Sequence, residues 1–192
     1  MRFARVHLRN VYRVFLYDPS ASPVEPGGAL FIPPQGAGRI DNPAHYDVLY
    51  AGDSPAGACG EVFYRGAQRL RWTSDMLTIR RFPGMTRAIA TYELRDDPPI
   101  IDLDDPHRLI EFGLRPSQVI VRDIAVSQAW ALQIFQSSRF SGIEWWSFND
   151  PRWKSMGIWD HDTIESFSVD VLTIDHPALA EAAARLDVRI EK

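Results

Sequence analysis

Residues 47–64 read DVLYAGDSPAGACGEVFY, and the fold class turns on how this stretch divides. Asp47–Ala51 is a short apolar run of strand length. Ser54-Pro55 then marks a helix start. Serine supplies an oxygen for the orphan N–H groups, and proline, with φ fixed and no N–H to lose, suits the first helical position. The helix is expected to run to about Tyr64 and to carry Glu61. Upstream, Val11–Leu16 (VYRVFL) reads as another strand, with Val11, Arg13 and Phe15 on one face and Tyr12, Val14 and Leu16 on the other. Residues 18–38 between them are crowded with Pro, Gly, Ser and Ala around a short apolar piece, Leu30-Phe31-Ile32. A connection of that length inside a compact domain is commonly functional.

Further along, strands are expected near Thr86–Leu94, Ile100–Leu103, Gly142–Phe148 and Phe167–Ile174. Asp123–Arg139 carries Ile124, Ala131, Ile134 and Phe135 at helical spacing. Pro177–Leu186 reads as a short Ala-rich helix with Ala178, Leu179, Ala182, Ala183 and Leu186 inward. Strands and helices do not alternate as βαβ units, which points to an α+β fold with a mixed central sheet pair and surrounding helices. No segment has the composition of a linker. The expectation is one domain over 1–192, with a core at about 11–160 and a C-terminal strand and helix at 161–192.

Bulk properties narrow the function. The 192 residues are 45% hydrophobic and 24% charged, with a net charge of −4. A protein that grips nucleic-acid phosphates is usually basic, so that class is disfavoured, while a local cationic pocket remains compatible with an acidic whole. Cys59 is the single cysteine; it can form no internal disulfide and reads as a small buried filler. The stretch MRFARVHLRN does not read as a signal peptide, and no run of about 18 apolar residues offers a membrane span. The expected location is the cytoplasm.

Familiar catalytic signals are missing: a glycine-rich dinucleotide fingerprint, a phosphate loop, and a His-Glu-x-x-His helix. The five histidines, His7, His45, His107, His161 and His176, are spaced for no metal site. The acidic residues Asp96, Asp97, Asp102, Asp104 and Asp105 flank prolines and read as turn formers. Trp145, Trp146, Trp153 and Trp159 read as core with one partly exposed ring.

Four separated pieces carry the chemistry. They are Tyr12-Arg13-Val14-Phe15, Gly38-Arg39-Ile40-Asp41-Asn42-Pro43, the strand–helix unit bearing Tyr50 and Glu61, and Gly142-Ile143-Glu144-Trp145-Trp146-Ser147. In this order and spacing, over roughly positions 11 to 160, the chain resembles the RES-domain family, named for arginine, glutamate and serine. Ile40 stands where the family usually has an aromatic residue.

The resemblance implies a fold like that of ADP-ribosyltransferase toxins, with NAD⁺ bound in a cleft between two small sheets. It implies a toxin that degrades NAD⁺ by phosphorolysis or hydrolysis of the nicotinamide–ribose bond. Alternatives are an ADP-ribosyltransferase acting on a specific host protein, or a catalytically inactive binding relative. NAD⁺ would be substrate, with no prosthetic group. The implied partner is a cognate Xre-type antitoxin, and a homodimer is also compatible.

The residue types suit that reaction. Arg13 and Arg39 offer planar, permanently charged donors for the pyrophosphate and neighbouring ribose. Tyr50 can stack on nicotinamide. Glu61 can accept from the ribose hydroxyls beside the developing oxocarbenium charge. Ser147 can orient the nicotinamide ribose or a phosphate. Nicotinamide leaves as a neutral molecule, so no general acid is needed.

Overall fold

The computed structural model describes residues 8–65, 70–95 and 97–191; His7 and Asp96 lie outside them. In chain order the elements are β1 (Leu8–Tyr17), β2 (Leu49–Gly52), α1 (Pro55–Phe63), β3 (Arg71–Trp72), β4 (Thr86–Arg95) and β5 (Ile100–Asp102). Three helices follow, α2 (Pro106–Glu111), α3 (Pro116–Val119) and α4 (Ile124–Gln136). The chain then forms β6 (Gly142–Trp146), β7 (Lys154–Ile158), β8 (Ile164–Val171), α5 (Pro177–Leu186) and β9 (Arg189–Ile190). The fold is α+β. Among the described residues no helix is long and apolar enough to cross a membrane.

Seven strands form one mixed sheet in the order β5-β6-β7-β2-β1-β4-β8, and β3 with β9 makes a small separate ribbon. Within the large sheet β5 and β6 run parallel; the other neighbours are antiparallel. The joints are unequal. β1 pairs with β4 from Leu8↔Arg95 to Tyr17↔Thr86, but meets β2 only at Tyr12↔Gly52. The expected pair of sheets is therefore a single sheet made of two halves, β5-β6-β7-β2 and β1-β4-β8, held at one residue pair. On either side of that pair the backbones are free to diverge.

Apolar residues fill the angle between the halves. Val11, Phe15, Ala88, Ala90 and Tyr92 from one half pack with Leu49, Met156 and Ile158 from the other. A second cluster sits under α1 and α5, with Cys59, Phe63, Trp72, Trp153, Leu179 and Ala182 buried. The third packs α4 on β6 through Trp130, Ala131, Ile134, Ile143 and Trp145. Full burial of each large side chain is worth about 1.5–3 kcal/mol.

The strand–helix unit forms as its sequence dictates. The Ser54 side chain accepts from the Gly57 N–H, Pro55 opens the helix, and Tyr64 caps its end. Helix α1 lies close against Trp153: a Cβ on Gly60 would meet Trp153 Cζ3 at 2.6 Å. Asp123 caps α4 through the Ala125 N–H. Asp105 caps α2 through the His107 N–H, and Asp102 accepts from the Asp104 N–H, so these acids serve turns and a helix start.

Several expectations shift. Helix α4 begins at Ile124, but that side chain is 39% exposed rather than inward. The strand expected at Phe167–Ile174 runs from Ile164 to Val171. Strand β7 was not anticipated, and neither were α2, α3, β3 and β9. In β7 the small residues serve close approach: a Cβ on Gly157 would strike Ile40 Cδ1 at 2.3 Å. Ile40 is a fully buried aliphatic side chain.

Candidate active site

A cleft of about 540 Å³ opens where the two half-sheets join. Tyr12, Arg13 and Val14 of β1 form one side and Tyr50, Ala51 and Gly52 of β2 the other. Arg39, Glu61 and Arg65 also reach the wall, with Ser155 and Trp145 on the β6–β7 side. Three guanidinium groups thus face one carboxylate. A chain of net charge −4 concentrates positive charge at this recess, as binding of an anionic ligand requires.

Each predicted site residue has a defined place. Arg13 Nη1 donates to the Ala29 carbonyl at 3.2 Å, and the buried Tyr92 hydroxyl donates to the same oxygen at 2.5 Å. The Pro/Gly-rich excursion therefore supplies the anchor for Arg13. Its turns are held locally, with the Asp18 N–H on the Gly27 carbonyl at 3.1 Å and the Leu30 N–H on the Pro23 carbonyl at 2.8 Å. Arg39 Nη1 donates to the Val119 and Val121 carbonyls at 2.9 and 3.0 Å, beside α3. Burial lowers the Arg39 guanidinium pKa, opposed chiefly by the nearby Glu61 carboxylate. From so high a starting value it stays a cation.

The Tyr50 hydroxyl donates to Asp41 Oδ1 at 2.6 Å and accepts from the Ile40 N–H at 3.1 Å. Burial foremost, then the Asp41 carboxylate, pushes this phenol above its usual range, so it is neutral at any ordinary pH.

Glu61 sits on the last turn of α1 and reaches the cleft. Its Oε1 accepts from the Ser147 hydroxyl and from Ser155 Oγ at 3.2 Å. Ser147 itself is 2% exposed and stands behind Glu61 rather than on the wall. The Asn149 N–H donates to Ser147 Oγ at 3.0 Å, which leaves the hydroxyl proton for the carboxylate. With Oε1 so occupied, Oε2 is the oxygen free of these contacts.

The sequence singled out Arg13, Arg39, Tyr50 and Glu61, and the structure brings all four to one recess. It passed over Ser155, which lies on the unanticipated β7, and Arg65, whose Nε donates to the Glu61 carbonyl at 2.9 Å. It also passed over Phe148, 70% exposed at the rim. An aromatic residue directly after Ser147 is a legible signal for the last of these. Burial raises the Cys59 thiol pKa to about 12; it is packed in the core and makes a poor nucleophile. Among the described residues no group of three or more His, Cys, Asp or Glu side chains is placed to hold a metal ion.

A cleft at the seam of a divided mixed sheet, with arginines on both flanks and one serine-held glutamate, defines an α+β domain built around an arginine-lined recess. The RES domain family profile matches residues 10–181, and the chain belongs to that family. The fold is similar to a chain in the crystal structure of the M. tuberculosis MbcT–MbcA toxin–antitoxin complex. The two share 18% identity over 93% of this chain and 90% of that one, with a TM-score of 0.59. No curated protein sequence matches the chain.

Proposed function

We propose that this RES-domain protein is a toxin that destroys NAD⁺ by breaking the nicotinamide–ribose bond, and that a cognate antitoxin holds it in check. The observation that carries the reading is the Glu61 carboxylate on the cleft wall, fixed through one oxygen by Ser147 and flanked by Arg13 and Arg39. In this reading the two arginines hold the pyrophosphate and neighbouring ribose. Tyr50 places its ring against nicotinamide. Glu61 accepts from the ribose hydroxyls through Oε2 and stabilises the positive charge that grows on the ribose. Ser147 and Ser155 act behind it as positioning residues.

The C1′–N bond breaks with its electron pair passing to the pyridinium nitrogen, so nicotinamide leaves neutral. An oxygen of water or phosphate bonds to C1′. Water then loses a proton to solvent and gives ADP-ribose; phosphate gives the 1-phosphorylated sugar. The similar fold of a chain in a toxin–antitoxin complex and the apolar rim of Phe148 and Ile124 support a protein that covers the cleft. An Xre-type partner fits that role.

Expression of the chain alone is expected to stop growth and drain cellular NAD⁺, while Glu61→Gln and Arg13→Ala do neither. Level NAD⁺ in arrested cells would sink the proposal. With labelled NAD⁺, free ADP-ribose or its phosphorylated form supports degradation, and label on a protein band would assign an ADP-ribosyltransferase instead.

A further inference from the structure

Asp41 follows Arg39 by two residues and is 4% exposed. No ammonium or guanidinium pairs with it among the described residues; neutral donors surround its carboxylate instead. The Gly36 and Gly38 N–H groups both reach Oδ2 at 2.7 Å, and the Tyr50 hydroxyl reaches Oδ1 at 2.6 Å. Glycine at position 38 leaves room for both partners of this contact. A Cβ on Gly38 would meet Tyr50 Oη at 2.4 Å and Asp41 Oδ1 at 2.5 Å. From outside, Gln128 Nε2 donates to the Gly36 and Gly38 carbonyls at 3.2 and 3.0 Å. Ser127 Oγ donates to the Arg39 carbonyl at 2.6 Å.

Three cleft-lining residues, Gly38, Arg39 and Tyr50, therefore meet at one buried carboxylate or lie within two residues of it. Burying a carboxylate is costly unless several donors satisfy it, and here two of the three donors, Gly38 and Tyr50, line the cleft.

We propose that Asp41 is a positioning residue for substrate binding, which locks the Gly36–Arg39 turn to Tyr50 so that the Arg39 guanidinium and the Tyr50 ring face the cleft together. It follows that Tyr50 meets substrate through its ring alone. Its hydroxyl proton is given to Asp41 and its oxygen accepts from the Ile40 N–H, so the phenol is not a proton donor to substrate. This rests on the NAD⁺ reading of the site.

The test compares wild type, Asp41→Asn, Tyr50→Phe and the double variant by kcat and KM for NAD⁺, with hydrogen exchange at the Gly36 and Gly38 amides. An amide cannot accept from both glycines and from Tyr50 as a carboxylate does. Asp41→Asn is expected to raise KM about tenfold with kcat within about threefold, as loss of a bond to a charged group allows, and to speed exchange at both glycines. Tyr50→Phe, which keeps the ring and the glycine contacts, is expected to raise KM about threefold. The double variant should be no worse than Asp41→Asn alone, because both changes remove one contact.

A folded Asp41→Asn protein with wild-type KM overturns the proposal, as do effects that multiply in the double variant. If Asp41→Asn fails to fold, Tyr50→Phe decides: a raised KM at constant kcat supports the lock, and an unchanged KM overturns it. A wild-type protein that leaves NAD⁺ intact overturns the activity and this proposal with it. Normal turnover beside an unaffected Asp41→Asn overturns this proposal alone.

Discussion

Ser147→Ala is the sharpest probe of how the glutamate is held. The hydroxyl is buried, donates to Glu61 Oε1 and accepts from the Asn149 N–H. Its removal leaves Oε1 with Ser155 alone, at 3.2 Å, and strips the Asn149 amide of its acceptor. A hydrogen bond to a charged group is worth about 1.5–3 kcal/mol, which corresponds to about 10- to 140-fold. If Glu61 stabilises charge that exists only in the transition state, the loss falls on kcat and leaves KM nearly unchanged. Ser155→Ala removes the longer of the two contacts and should cost less, about three- to tenfold. The pair together should approach the loss caused by Glu61→Gln, since both routes disable one carboxylate. Purified protein, NAD⁺ and a nicotinamide-release assay suffice, with thermal melts to show that each variant is folded. A folded Ser147→Ala enzyme with wild-type kcat would refute the reasoning.

Arg39→Ala should raise KM for NAD⁺ with little change in kcat, because a pyrophosphate contact is made in ground and transition states alike; a selective loss of kcat would contradict it. Gly60→Ala should cost about 1–3 kcal/mol through overpacking against Trp153, seen as a fall of several degrees in Tm, and an unchanged Tm would contradict it. The Cys59 thiol is raised from 9.0 to about 12 by burial, so the folded protein keeps a proton that the unfolded chain releases. That contribution is complete below pH 9 and is lost as pH rises toward 12. Cys59→Ala should therefore flatten the decline of unfolding free energy between pH 9 and 10, below the ordinary tyrosine range; identical slopes would count against it.

What could be read in advance was what local chemistry encodes. Ser54-Pro55 fixes the start of α1 through its own cap, and the alanines after Pro177 mark α5, whose cap by His176 only the structure shows. Strand β7 was invisible for a contrary reason. Lys154 engages Asp102 at 2.5 Å, Ser155 turns to Glu61, and Gly157 makes room for Ile40 and Val48. Such residues look like a loop until their distant partners are known. Ser155 was lost with its strand. Asp41 was in plain view beside Arg39, but its meaning lies in Tyr50, nine positions on, and no periodicity reports that contact.

The position of the site follows from one weak joint. Had β1 and β2 paired along their full length, the sheet would be continuous where Tyr12, Arg13, Tyr50 and Ala51 now line a cleft. Pairing only at Tyr12↔Gly52 leaves backbone and side chains of both strands turned toward a shared gap. A gap of that kind must be braced, or the halves would hinge. Arg9 of β1 reaches across to Glu144 of β6 at 2.5 Å, and Lys154 of β7 lies 3.6 Å from the same carboxylate. Glu144 is buried, so breaking this contact would strand a charge and cost several kcal/mol. The ion pair ties the half-sheet that carries Arg13 to the one that carries Tyr50, although none of its residues lines the cleft. In this fold the residues that shape the recess and those that keep it open are different, and the second group carries no catalytic motif by which a sequence reader would find it.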